Sequence, residues 1–175
     1  MTSLLRLDHA LQVWVVTHRI TRLDDLMLVA SFVGRGGAVW LAIGVAVALV
    51  RHISWRTWLR LVLAVAIASL AARVIRPIVG RERPFVAAAG YSVIGQRSDD
   101  ASFPSGHAST AGASAFALSR ALPTAAPIWW ALAAAVAYSR VYLGVHYPLD
   151  VIAGLLFGGT IAWAIWKPWR LSRLT

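Results

Sequence analysis

Cysteine is absent from this chain, acidic residues number only seven, and lysine occurs once. Without cysteine there is no disulfide framework and no thiolate metal site, and thiol usage says nothing about redox compartment. Charged residues make up 14% of the 175 positions, against about 25% in a soluble globular domain. Apolar residues stand in their place, 59% of the chain with a mean hydropathy of +0.67. That balance excludes an ordinary soluble domain and indicates an all-α integral membrane protein. The formal charge of +10, carried by sixteen arginines and the one lysine, is compatible with a nucleic-acid binder. A basic membrane protein shows the same excess, because cytoplasmic loops collect arginine and lysine, so no nucleic-acid partner is expected. The first twenty residues place Arg6, Asp8 and His9 where a cleavable signal peptide needs an unbroken apolar core. They read instead as a short amphipathic helix lying at a membrane interface.

A spanning helix takes about twenty mostly apolar residues. Five stretches qualify, roughly 26–50, 57–75, 105–122, 127–144 and 149–166, giving a bundle of about five transmembrane helices plus the N-terminal interfacial one. Arg35, within the run GRGG, interrupts the first. Either the helix proper begins near Gly36 with Arg35 at the membrane surface, or Arg35 faces a polar cavity, since an arginine facing lipid at mid-depth is costly; the surface position is the one expected. The longest polar stretch, 76–104, reads as a loop with a short helix. No internal repeat, low-complexity segment or second domain is visible, so residues 1–175 form one domain. Ala108, Ala111, Gly112 and Ala115 on the third span, and Gly154 and Gly158 on the fifth, supply small residues for close helix packing in lipid.

Alternation of the spans brings 76–104 and 140–150 to one face. The opposite face carries Arg51, Arg56, Arg60, Arg120, Lys167, Arg170 and Arg173 with no acidic residue, and the positive-inside rule makes it cytoplasmic. The C-terminus then lies inside and the polar loop outside. Trp55, Trp58, Trp129, Trp130, Trp163, Trp166 and Trp169 fall near the cytoplasmic ends, where their rings suit the headgroup layer.

Three polar clusters converge on the outer face: Arg76 with Arg83-Pro84, then Pro104-Ser105-Gly106-His107, then Ser139-Arg140 with His146 and Asp150. Ser105 alone has a plain reading as a helix N-cap. In company it joins an anion cradle: arginines offer fixed forks of donors matching phosphate oxygens, and a helix start at Ser105 and Gly106 adds unpaired N–H groups at the positive end of the dipole. Asp150 follows His146 by four residues, one helical turn. A carboxylate there can accept from one ring nitrogen and leave the other unprotonated and nucleophilic. His107, on another helix, can protonate a leaving oxygen. No set of acidic residues and histidines has metal-ligand spacing, so no metal or cofactor is expected and the arginines must neutralise the anion.

Arg76-x6-Arg83-Pro84, PSGH at 104–107 and Ser139-Arg140-x5-His146-x3-Asp150 resemble, in order and spacing, the three-part signature of the type 2 phosphatidic acid phosphatase superfamily. These membrane phosphatases are related in their site to vanadium haloperoxidases; the membrane spans disfavour a haloperoxidase here. The family usually has lysine where this chain has Arg76, which keeps the charge and changes the shape. The resemblance implies a phosphohistidine mechanism: His146 attacks, Asp150 orients it, His107 serves as general acid, and Arg76, Arg83, Ser105, Gly106, His107 and Arg140 hold the phosphoryl group. It also implies a metal-independent lipid phosphatase of a bacterial plasma membrane with an outward site. Small size and the run RERPFV at 81–86 make it most similar to undecaprenyl diphosphate phosphatases, which release the monophosphate of the cell-wall carrier lipid. Phosphatidylglycerophosphate or phosphatidic acid phosphatase and a phosphatase of a polyprenyl-phosphoryl sugar phosphate are alternatives of the same class; a lipid-phosphate binding or transport protein is the rival of another class. The sequence leaves oligomeric state open.

Overall fold

A computed structural model describes residues 3–51, 54–87 and 92–167. Among them the chain forms α1 (Ser3–Thr17), α2 (Asp24–Val33), α3 (Ala38–Arg51), α4 (Trp55–Val79), α5 (Pro84–Ala87), α6 (Gly106–Ala121), α7 (Ala126–Tyr142) and α8 (Pro148–Trp166). Local chemistry sets the boundaries. Ser54 caps α4, its hydroxyl accepting from the Thr57 N–H at 3.4 Å, and Gly80 ends that helix at φ 62, a left-handed conformation that glycine adopts freely. Arg76 therefore sits in the last turn of a helix, one turn beyond the boundary expected from the apolar run. Pro148 opens α8 in the first turn, where its missing N–H costs nothing.

α6 is the central helix, enclosed by α4, α7 and α8. Its run of small residues from Ala108 to Ala115 is buried throughout, so neighbouring backbones come close. A Cβ added at Gly154 would stand 2.7 Å from the Ser105 carbonyl oxygen, and one at Gly112 or Gly158 would collide with the carbonyls of Leu155 and Ser109. The packing role expected of these residues is thus borne out at backbone-to-backbone contacts. Outward faces carry Leu49, Leu70, Ile78, Leu156 and Trp163, all exposed, as lipid-facing positions should be.

Length and composition qualify two runs to cross a membrane, Trp55–Ala87 and Pro148–Trp166, and a third if α2 and α3 count as one bent crossing. The expected five are not all recovered by this measure. α6 and α7 stand where spans were expected but have 16 and 17 residues. α6 is also rich in serine and threonine, which it can carry because other helices shield it from lipid. The first expected span, 26–50, is broken into α2 and α3 at a 70° bend, where Gly36 and Gly37 take φ of 61 and 79. Arg35 lies exposed at this break, just before α3, and lines a polar pocket, so features of both expected positions are present. α1 is the expected N-terminal helix, with a difference: Asp8 and Gln12 face inward, while Leu4, Leu7, Leu11 and Trp14 are exposed, an apolar face suited to a bilayer surface. Arg170 and Arg173, counted above toward the basic face, and Trp169, placed above near the cytoplasmic ends, lie outside the described residues.

Candidate active site

The last turns of α4 and α7 and the first turns of α6 and α8 meet at one end of the bundle, bringing together three sequence clusters more than sixty residues apart at their extremes. Between them lies a pocket of about 380 Å³ lined by Arg76, Arg83, Gly106, His107, Arg140 and His146. Two of the expected site residues stand behind it. Asp150 is fully buried, and so is Ser105, whose hydroxyl accepts from the Ala108 N–H at 3.5 Å and whose N–H donates to the Asp150 carbonyl at 3.1 Å. Ser105 thus caps α6 and ties its start to that of α8, while Gly106 faces the pocket. A Cβ at Gly106 would collide with the Arg76 guanidinium, so this glycine admits the arginine to the helix start.

His146 sits between a cation and a carboxylate. Arg83 Nη1 lies 3.3 Å from its Nε2, and Nδ1 lies 3.4 Å from Asp150 Oδ2. A guanidinium can only donate, so Nε2 is the accepting, unprotonated nitrogen and Nδ1 carries the proton toward Asp150. Burial first, and then the charges of Arg83, Arg140 and Arg76, hold the His146 pKa well below its ordinary value. The imidazole is therefore neutral at pH 7.

Asp150 is itself fixed from three sides. Its Oδ2 accepts from the Tyr147 N–H at 2.9 Å, completing a cap of α8, and its Oδ1 accepts from Arg81 Nη1 at 2.6 Å. Arg81 stacks over the Tyr147 ring at 4.0 Å and pairs through Nη2 with Asp8 at 2.5 Å. Asp8 in turn accepts from the Leu149 N–H, 141 residues away, at 2.8 Å. In the line Asp8–Arg81–Asp150–His146 the last link was expected from the sequence, while Asp8 and Arg81 were not. Arg81 stood in plain view in RERP, but nothing local marks Asp8, because its partners arrive only when α1 docks.

The arginines differ in what they hold. Arg83 donates to the Asp100 carbonyl at 2.8 Å and carboxylate at 2.6 Å, and to the Val145 carbonyl at 2.8 Å; Arg76 pairs with the other Asp100 oxygen and donates to the Pro104 carbonyl at 3.2 Å. Asp100 thus sits as an anion between two of the phosphate-binding candidates. Burial alone would raise its pKa, but hydrogen bonds from Ser98 and Arg83 and the charges of Arg76 and Arg83 overcome this and hold it below the usual carboxylate range. Arg140 donates to the Ser31 hydroxyl, while its Nε is buried with no partner among the described residues. A buried charged donor without a partner is expensive, and Arg140 also lines the pocket, which suits an anionic ligand. No group of three or more His, Asp or Glu among the described residues is placed to hold a metal ion.

Residues 57–172 match the PAP2 superfamily. The chain belongs to that superfamily. It is 35% identical over 149 residues to an undecaprenyl-diphosphatase of Sulfolobus acidocaldarius, covering 83% of this chain and 70% of the relative. To a decaprenylphosphoryl-5-phosphoribose phosphatase of Mycolicibacterium smegmatis it is 37% identical, covering 71% of this chain and 67% of the relative. The crystal structure of a PAP2-type phosphatidylglycerolphosphate phosphatase from Bacillus subtilis superposes with a TM-score of 0.76 at 25% identity, over 94% of this chain and 85% of that one. The chain is accordingly a membrane lipid phosphatase of the PAP2 superfamily, a hydrolase of phosphate esters.

Proposed function

We propose that this PAP2 lipid phosphatase hydrolyses a polyprenyl diphosphate, undecaprenyl diphosphate in particular, to the monophosphate through a phosphohistidine at His146. The observation that carries this reading is the neutral His146 ring, with Nδ1–H directed to Asp150 and Nε2 free of a proton beside the arginines of an anion pocket. In the first step the Nε2 lone pair forms a bond to the terminal phosphorus. The bond from phosphorus to the bridging oxygen breaks, and that oxygen leaves on the lipid monophosphate with a proton from His107, whose ring the bound anionic substrate holds in its protonated form. In the second step His107 takes a proton from water, whose oxygen attacks the phosphohistidine and releases inorganic phosphate and neutral His146. Asp150 stabilises the ring as positive charge develops, without itself taking the proton. Arg76, Arg83 and Arg140 hold the equatorial oxygens together with the N–H groups at the start of α6, and Ser105 acts by holding that start in place. The arginines do the neutralising that a metal does elsewhere, so activity should survive chelation by EDTA and be inhibited by vanadate.

The basic ends of α3, α4 and α6, at Arg51, Arg56, Arg60 and Arg120, lie opposite the pocket and support an outward site. A cysteine replacing Asp99 is expected to react with an impermeant thiol reagent in intact cells, and one replacing Thr124 only after permeabilisation; the reverse pattern would place the site inside. The substrate is tested by phosphate release from purified protein with undecaprenyl diphosphate, phosphatidylglycerophosphate, phosphatidic acid and decaprenylphosphoryl-5-phosphoribose compared at equal surface concentration. The highest kcat/KM is expected on undecaprenyl diphosphate. A higher value on any of the others would replace it as the substrate.

A further inference from the structure

The pocket contains more positive charge than one phosphoryl group requires. Besides Arg76, Arg83 and Arg140 it is lined by Arg35, Arg73 and Arg97, and none of these three has a carboxylate partner among the described residues. Arg97 lies with its guanidinium 5.6 Å from the Phe85 ring centroid, on the loop side. Arg35 and Arg73 belong to the opposite side, and two features direct them at a ligand.

Arg73 precedes Arg76 by three residues on α4, so the two share a face of that helix about 4.5 Å apart along its axis. Arg35 is held by the break between α2 and α3. The Gly34 carbonyl accepts from the Thr110 hydroxyl at 3.3 Å, and a Cβ at Gly34 would stand 3.1 Å from the His107 Cβ. The break is thus seated against the helix turn that carries the proposed acid. Beyond these arginines the pocket adjoins a second cavity of about 280 Å³, which shares Gly36, Ser69 and Arg73 with it and is otherwise lined by apolar side chains of α3 and α4, among them Leu41, Val62, Val65 and Leu70. In order of position, the reacting phosphoryl site comes first, then Arg73 and Arg35, then an apolar groove.

We infer that Arg35 and Arg73 form a second anion subsite, which takes the phosphate group directly attached to the reacting phosphoryl and next to the hydrocarbon chain. The inference rests on the phosphatase reading above and narrows its substrate class to lipids whose leaving group is itself a phosphate. When the phosphorus–oxygen bond breaks, the electron pair goes to the bridging oxygen, which takes the His107 proton, and the two guanidiniums balance the charge that the leaving phosphate carries throughout. This placement also explains why a helix in an apolar chain is broken at an arginine between glycines.

The test compares Arg35→Gln/Arg73→Gln with the unaltered protein on farnesyl diphosphate and on dilauroyl phosphatidate. On the diphosphate kcat/KM is expected to fall about 10–100-fold, the scale of lost charged hydrogen bonds, and on phosphatidate by no more than about threefold, which also reports that the variant is folded. A parallel fall on both substrates, or none on either, would overturn the subsite and leave the phosphatase reading intact, whereas an unaltered protein inactive on both would sink that reading instead. A second measurement needs no variant: with para-nitrophenyl phosphate as substrate, methylenediphosphonate is expected to inhibit at least tenfold more tightly than methylphosphonate. Equal inhibition by the two would also overturn the subsite.

Discussion

The two walls of the pocket are built on different plans. On the α7–α8 side the groups around the proposed nucleophile are held: His146 by Asp150 and Arg83, Asp150 by Arg81 and the Tyr147 N–H, Arg81 by Asp8. On the α2–α4 side Arg35 and Arg73 are exposed and, among the described residues, paired with no carboxylate. In the proposed mechanism, bond formation at phosphorus needs a nucleophile fixed in angle and tautomer before substrate arrives, and a chain of buried contacts would supply that. A binding wall needs charge that can close around a ligand, and long side chains left unpaired supply it. Rigidity and free charge are thus divided between opposite sides of one cavity.

The strongest way to break this contrast is to loosen the rigid wall at its centre. Asp150→Asn keeps the shape but removes the charge that, in the proposed mechanism, opposes the developing imidazolium, and kcat is expected to fall by roughly 10³–10⁴-fold, as when the orienting carboxylate of a Ser-His-Asp triad is neutralised. A loss under tenfold would show that Asp150 merely caps α8. Arg81→Gln, one contact further out, is expected to lower kcat by about 10–100-fold, the usual range for a partner that orients a functional side chain, with KM nearly unchanged. If KM rises and kcat holds, Arg81 belongs to the binding wall and the contrast fails.

A smaller effect sharpens the electrostatic side of the account. Because the folded His146 pKa is depressed by burial and by Arg83, Arg140 and Arg76, the unfolded chain, with its histidine near about 6.5, binds the extra proton between the two values. Stability from this group is therefore complete above pH about 6.5 and declines as pH falls below it. Side-chain NMR of His146 in detergent is expected to show a neutral ring with the proton on Nδ1 at pH 6, and Arg83→Gln to move its titration upward. Protonation of the unaltered protein near the ordinary histidine value would contradict the arrangement.

Much of this was legible in the sequence where the signal is local. PSGH and the four-residue step from His146 to Asp150 place their side chains through a single helix start each, and small residues at helical spacing announced close packing on the helices that became α6 and α8. What escaped depends on tertiary contacts. Asp8 reads as a charge spoiling an apolar run until α1 brings it to Arg81 and the Leu149 N–H. Asp100 reads as loop polarity until the chain folds it between Arg76 and Arg83. The GRGG run marks the first span as interrupted, but hydropathy does not register the 70° bend that the break carries. Ser105 was assigned to the phosphate on its company, but its buried hydroxyl is turned to the backbone of its own helix.

The central claim is that His146 carries the phosphoryl group between the two steps. Mixing the protein with radiolabelled polyprenyl diphosphate and quenching within the first turnover should trap label that is stable to base, labile to acid and confined to the peptide containing His146. His107→Ala, which slows attack by water, should increase the trapped fraction with a substrate bearing a good leaving group. Label at another residue, or a full burst of phosphate release with no labelled protein at any time, would contradict the account.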